Sequence, residues 1–139
     1  MVQSELVDLE KKLRDAQLRP TKQRLALAQL LFSDGNRHIT AERLHSDAME
    51  ANVAISLATI YNNLHQFTAA GLLREVVVDS SSSYFDTNIA PRHLFFHEQS
   101  GTLKDIAKDD LKVDNIPPLP EGTEISSVDV IVRVSSTRR

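Results

Sequence analysis

Apolar positions recur at helical intervals through the first half of the chain and change to strand-like alternation in the second. Leu6, Leu9 and Leu13 stand three and four residues apart among charged neighbours and predict a helix over 4–17. Arg19-Pro20-Thr21 should break it, since proline disfavours helical geometry in the residue before it. Thr21 then caps a second helix running to about Ser33, with Leu25, Leu27, Ala28, Leu31 and Phe32 apolar, and Asp34-Gly35-Asn36 reads as a turn. Thr40 is the expected N-cap of a helix from Ala41 to about Ala51, buried through Leu44 and Ala48, with Glu42 favourably placed against the helix dipole. After Asn52-Val53-Ala54-Ile55, Ser56 caps a fourth helix whose apolar stripe is Leu57, Ile60, Tyr61, Leu64 and Phe67, with Gly71 as its C-terminal stop. Two helices joined by about four residues form a helix-turn-helix.

Beyond Gly71 the period becomes two. Leu72–Val78 is β-rich, 79–83 is a polar turn and Tyr84-Phe85-Asp86 resumes as a strand, which after a helix-turn-helix reads as a wing. Asn88-Ile89-Ala90-Pro91 reads as a hinge, followed by strand-like segments at His93–His97 and Thr102–Ile106. Pro117, Pro118, Pro120 and Gly122 leave room only for a short helix within 109–124, and Ile125–Val134 alternates as the last strand. The expected fold class is α+β: a winged helix-turn-helix domain over 1–86, a hinge over 87–91, and a small α/β dimerisation domain with an antiparallel sheet over 92–139.

Composition narrows the chemistry. The 139 residues include no cysteine, which excludes disulfides, thiol redox sensing and a cysteine-bound structural zinc. A metal here must use His, Asp or Glu, which favours Fe, Mn or Zn. No apolar run could span a bilayer and the first residues are too charged for a signal peptide, so a cytoplasmic protein with no membrane partner is expected. The net charge of −3 hides a focused patch: Lys11, Lys12, Arg14, Arg19, Lys22 and Arg24 face only Asp15 within 11–24. Such a patch suits phosphate contact, and equally a solvated helix face.

In a winged helix the second helix of the motif enters the major groove and offers its N-terminal, outward side chains to base edges. Here those are Ser56, Thr59, Asn62 and Asn63, with Tyr61 either in the core or touching a thymine methyl or a phosphate. Thr21, Lys22 and Arg24 stand at the start of the second helix, where Lys22 and Arg24 would set register through phosphates.

The segments LRPTKQRLALAQLLF, HITAERL, SLATIYNNLHQFTAAGLL and YFDTN resemble the ferric uptake regulator family. FDTN and the tail PPLPEGTEISSVDVIVRV are similar to its iron response regulator branch in alphaproteobacteria. The resemblance implies that Tyr61 contacts a base and that Arg19 reaches the minor groove. It also implies a regulatory metal between the domains, whose ligands fall on His38, Asp86, His93 and Asp105. One further ligand histidine of the family falls on Pro91, which cannot ligate. His97 is a conceivable replacement, although on a strand it stands about 13 Å from His93. The alternative reading of Asp86 and His93 is a hydrogen-bonded pair between the domains. A second metal site of many relatives is expected to be absent.

The branch implies haem sensing. Without a cysteine-proline motif, haem would need axial histidines, with His93 first and His65 or His45 next. The expected protein is an iron- or haem-responsive transcriptional regulator that binds double-stranded DNA as a homodimer at a pseudo-palindromic operator. Its nearest rival is an Fe(II)- or Mn-activated repressor without haem sensing. An enzyme is not expected, because no nucleophile or general base accompanies the candidate ligands. A protein-interaction module with a purely structural helix-turn-helix is the remaining alternative.

Overall fold

A computed structural model describes residues 3–79, 83–90, 93–107 and 109–137, which fall into two compact units, 1–89 and 90–139. Pro91, the position of the missing histidine and the end of the expected hinge, lies outside the described residues, as does most of the polar turn, 80–82.

The first unit runs α1 (Gln3–Asp15), α2 (Lys22–Phe32), β1 (His38–Ile39), α3 (Ala41–Glu50), α4 (Leu57–Ala69), β2 (Arg74–Val77) and β3 (Ser83–Asp86). Thr21, Thr40 and Ser56 cap α2, α3 and α4: each is extended and accepts, through its hydroxyl oxygen, the amide three residues on. That bond satisfies one of the free amides of a first turn, which is why Thr and Ser stand there.

Three helices end by one device. The amides of Leu18, Val53 and Leu72 donate to the carbonyls of Leu13, Ala48 and Phe67 at 2.8, 2.8 and 2.9 Å. The residue before each donor is left-handed, with φ of 61° at Gln17, 60° at Asn52 and 83° at Gly71. Glycine adopts that region freely and asparagine tolerates it, so Asn52 sets the turn of the helix-turn-helix. The first helix therefore stops at Asp15, ahead of Pro20, on its own C-terminal closure rather than on the proline.

Leu13, Leu27, Leu31, Leu44, Ile60, Leu64, Phe67 and Phe85 form a core in which each is wholly buried. At about 1.5–3 kcal/mol for each large side chain, Ile60, Leu64 and Phe67 suffice to hold α4 in place. Asn63 joins them, only 8% exposed, and donates from Nδ2 to the Thr59 carbonyl at 2.9 Å. Its expected place on the outward face is thus corrected: position 63 follows Ile60 by three and precedes Phe67 by four, on the buried stripe.

The wing is a sheet in the order β1-β3-β2, with both pairings antiparallel. The strand β1 was not foreseen, because two residues are too few to display a period. Its register sets His38 opposite Asp86 and Ile39 opposite Phe85.

The second unit holds β4 (Leu94–His97), β5 (Thr102–Asp105) and β6 (Ile131–Val134) in the order β5-β4-β6. The β4–β5 pair is antiparallel, as expected, while β6 lies parallel to β4. A parallel neighbour needs a crossover of a dozen or more residues, and 106–130 supplies it. No helix occurs in this unit among the described residues, in keeping with the prolines that limit any helix within 109–124. Only four residues of the alternating Ile125–Val134 segment pair, because β4 offers four partners.

Candidate nucleic-acid interface and metal positions

Once Ile60, Asn63, Leu64 and Phe67 face inward, the helical period turns Ala58, Asn62 and His65 directly outward, flanked by Tyr61 on one side and Thr59 and Gln66 on the other. Ala58, Tyr61, Asn62, His65 and Gln66 are all exposed. The Asn62 amide is engaged by nothing else among the described residues. Ala58 was not anticipated, although a methyl group on this face matches a thymine methyl.

The two N-terminal candidates are engaged with each other. Ser56 Oγ accepts the Thr59 amide at 3.1 Å and lies 2.9 Å from Thr59 Oγ1. Tyr61 is 37% exposed, so it lies outside the core. Its hydroxyl donates to Glu42 Oε2 at 2.9 Å and Oε1 at 3.2 Å. That bond to a carboxylate, with a smaller contribution from burial, raises the phenol pKa. The His65 ring stacks on Tyr61 with centroids 6.3 Å apart and meets the edge of Phe85 at 5.6 Å. The helix α4, the wing and α3 are thus joined through one small cluster.

The basic patch separates into engaged and free charges. Lys11 is paired with Asp15 at 2.8 Å, and Lys12 sits over the Phe32 ring. Arg24 donates to Gln66 Oε1 at 2.6 Å and to the Arg19 carbonyl at 3.0 Å, tying the start of α2 to α4. Its expected phosphate contact competes with these bonds. Thr21 Oγ1 is occupied as the α2 cap. Arg14, Arg19 and Lys22 are exposed and their side chains make no bond among the described residues. Lys22 lines a groove with Asn52, Val53 and Ala54, the turn of the helix-turn-helix.

The four expected metal ligands divide between the units, two in each. His38 and Asp86 meet because they are cross-strand partners: Nδ1 lies 2.9 Å from Asp86 Oδ2. Asp86 is fully buried, and its Oδ1 accepts the Asn88 amide at 2.9 Å. One Asp86 oxygen thus meets the Asn88 amide and the other lies against the His38 ring, the placement of a carboxylate that orients a histidine.

His93 stands at the start of β4, where Nδ1 accepts the Val130 amide at 3.0 Å. A neutral imidazole that accepts at Nδ1 carries its hydrogen on Nε2, which leaves no lone pair for a metal or a haem iron. Asp105 ends β5 and is exposed. Among the described residues of either unit, no three of these side-chain types gather as a metal cluster. His97 is exposed at the far end of β4, and His45 is half-buried on α3.

The winged helix followed by a three-stranded sheet can be compared with known proteins. The chain superimposes on the ferric uptake regulator of Pseudomonas aeruginosa with manganese at a TM-score of 0.70, 23% identity, and coverage of 94% and 98% of the two chains. A zinc uptake regulator complexed with zinc and DNA matches at a TM-score of 0.53 and 25% identity, over 74% of this chain and 70% of that one. The peroxide-responsive repressor PerR of Staphylococcus aureus (strain Mu50 / ATCC 700699) is 36% identical over 104 residues, 75% of this chain and 70% of the relative. The model of the Ferric uptake regulator family matches residues 15–133, covering both units, and with these matches it establishes that the chain belongs to that family.

Proposed function

We propose that this protein is a metal-responsive transcription regulator that binds double-stranded DNA as a homodimer at a pseudo-palindromic operator. Members of this family are DNA-binding regulators and not enzymes. The observation that carries the reading is the outward face of α4, where Ala58, Tyr61, Asn62 and His65 stand exposed on a firmly docked helix. In this reading α4 lies in the major groove, Asn62 reads a base edge, and Arg19 and Lys22 meet the backbone, Arg19 extending to the minor groove.

The second unit supports the dimer. β6 is an edge strand, and Val113, Ile116, Leu119, Ile125 and Phe95 leave large apolar surfaces exposed. A second copy of the chain covers both liabilities at once and spaces two reading helices by about one turn of DNA.

The response to a divalent ion is supported by the relatives solved with manganese or zinc and, in this chain, by the imidazole of His38 set beside the Asp86 carboxylate. The finer reading is control of iron and haem metabolism genes by iron or haem. It rests on the likeness of FDTN and the 117–134 tail to the iron response regulator branch and on the exposed His65. Haem and Mn(II) titrations against DNA binding separate it from a purely metal-activated repressor.

The decisive experiment measures affinity for duplex DNA against salt. A phosphate contact contributes about −0.9 to the slope of log K on log salt. Arg19→Ala and Lys22→Ala should each flatten that slope by about this amount and weaken binding to every sequence alike. Unchanged slopes in both variants would remove the DNA-facing assignment.

A further inference from the structure

Glu42 is an acidic side chain at the reading face of a protein read here as a DNA binder, where it repels phosphate. It stands in the first turn of α3, exposed, and its two oxygens face the Tyr61 hydroxyl at 2.9 and 3.2 Å. A carboxylate only accepts, so the phenol must be the donor and its one hydrogen is committed to Glu42. The ring is held from a second side by the stacked His65, which is itself braced against Phe85 of the wing. What Tyr61 then offers outward is the remaining lone-pair side of its oxygen and the edge of its ring. It cannot donate to a phosphate oxygen, nor to the O4 of thymine or the O6 of guanine.

We propose that Glu42 is a specificity-determining positioning residue: by holding the Tyr61 hydroxyl hydrogen it presents the phenol oxygen to the major groove as an acceptor alone, selecting the exocyclic amine of adenine or cytosine. The inference deepens the proposed function and depends on it. The major groove displays those amines as its only base donors, N6 of adenine and N4 of cytosine. The carboxylate also drives off phosphate, so Tyr61 is withheld from the sequence-independent contacts that dominate non-specific affinity. The raised phenol pKa agrees with a hydrogen held between the two groups.

The test uses the full chain with Mn(II) and a pool of randomised duplexes, comparing wild type, Glu42→Gln, Glu42→Ala and Tyr61→Phe. Wild type should enrich adenine or cytosine at one position per half-site by roughly three- to tenfold, the scale of one hydrogen bond. Tyr61→Phe and Glu42→Ala should both lose that preference, at the same position. Glu42→Gln, which still accepts through its amide oxygen, should keep it. Both Glu42 variants should bind unselected DNA more tightly, since both remove the repelling charge.

An ultraviolet titration of the phenol in a Tyr84→Phe background, without DNA, should show a lower midpoint in Glu42→Ala than in the parent. Absence of that difference overturns the proposed bond. A Tyr61→Phe protein that selects the same base as wild type overturns the acceptor role. If wild type binds no duplex at low salt while the phenol titration behaves as stated, it is the DNA-binding reading that fails.

Discussion

Replacing Asp86 by alanine tests whether the one fully buried carboxylate of the wing stabilises the fold. In the native chain Oδ1 accepts the Asn88 amide and Oδ2 lies against His38 Nδ1, both at 2.9 Å, with no exposure of the residue to solvent. Removing the carboxylate leaves a turn amide without its acceptor, which costs about 1–3 kcal/mol. Leaving the His38 ring nitrogen without the carboxylate beside it costs about 1–3 kcal/mol more when that nitrogen stays dry. His38 retains 23% side-chain exposure, so water recovers part of that second cost. The expected loss is about 3 kcal/mol for Asp86→Ala. Asp86→Asn keeps the acceptor for Asn88 but offers an uncharged group to the imidazole, and should lose about half as much. All four helices among the described residues and both tyrosines, Tyr61 and Tyr84, lie in the first unit, so far-ultraviolet ellipticity and tyrosine fluorescence both follow its unfolding. With a urea slope of about 1–2 kcal/mol per molar, the alanine midpoint should fall by about 2 M in EDTA-containing buffer. A fall worth less than about 1 kcal/mol, or equal losses in the two variants, would refute this account of the pair.

Two further outcomes follow from local contacts. Asp47 is held by Arg37 at 2.9 Å and Arg43 at 3.1 Å; burial alone would raise its carboxyl pKa, but the two guanidinium bonds outweigh burial and lower it. A carboxyl lowered on folding stabilises the protein above its unfolded pKa of about 3.9 and loses that contribution as pH falls through the folded value. Asp47→Asn should therefore destabilise the first unit near neutral pH and flatten its acid unfolding curve below about pH 4, measured by ellipticity; a parallel shift of the whole curve would contradict the pairing. Ser56→Ala removes the α4 cap and should cost about 1 kcal/mol in urea unfolding, with Ser56→Asp recovering most of it. If the alanine variant is as stable as wild type, the cap contributes nothing.

What the residues disclose in advance depends on how local the cause is. The caps at Thr21, Thr40 and Ser56 are decided within four residues, and all three stand where their hydroxyls and the following apolar stripes place them. Asn63 was misplaced because polarity was read as exposure, while its spacing from Ile60 and Phe67 already pointed inward. The Glu42–Tyr61 bond joins two helices across 19 residues, and nothing in either segment alone announces it. The same holds for the Val130 amide on His93, 37 residues away, which decides the tautomer that a ligand assignment needs. The parallel course of β6 was invisible for a related reason: alternation marks a strand but not its direction or its neighbour.

That course has a kinetic consequence. Leu94 must wait for Ile131 before the sheet gains its third strand, and contacts so distant in sequence form late because the intervening chain must first be closed into a loop. During folding β4 and β5 can zip together early through their tight turn, with Gly101 donating to the His97 carbonyl. The β6 edge is created only at the end. Until then the side of β4 that β6 will cover stands open, so the unfinished second unit exposes an unpaired strand edge at the stage when indiscriminate pairing does most harm.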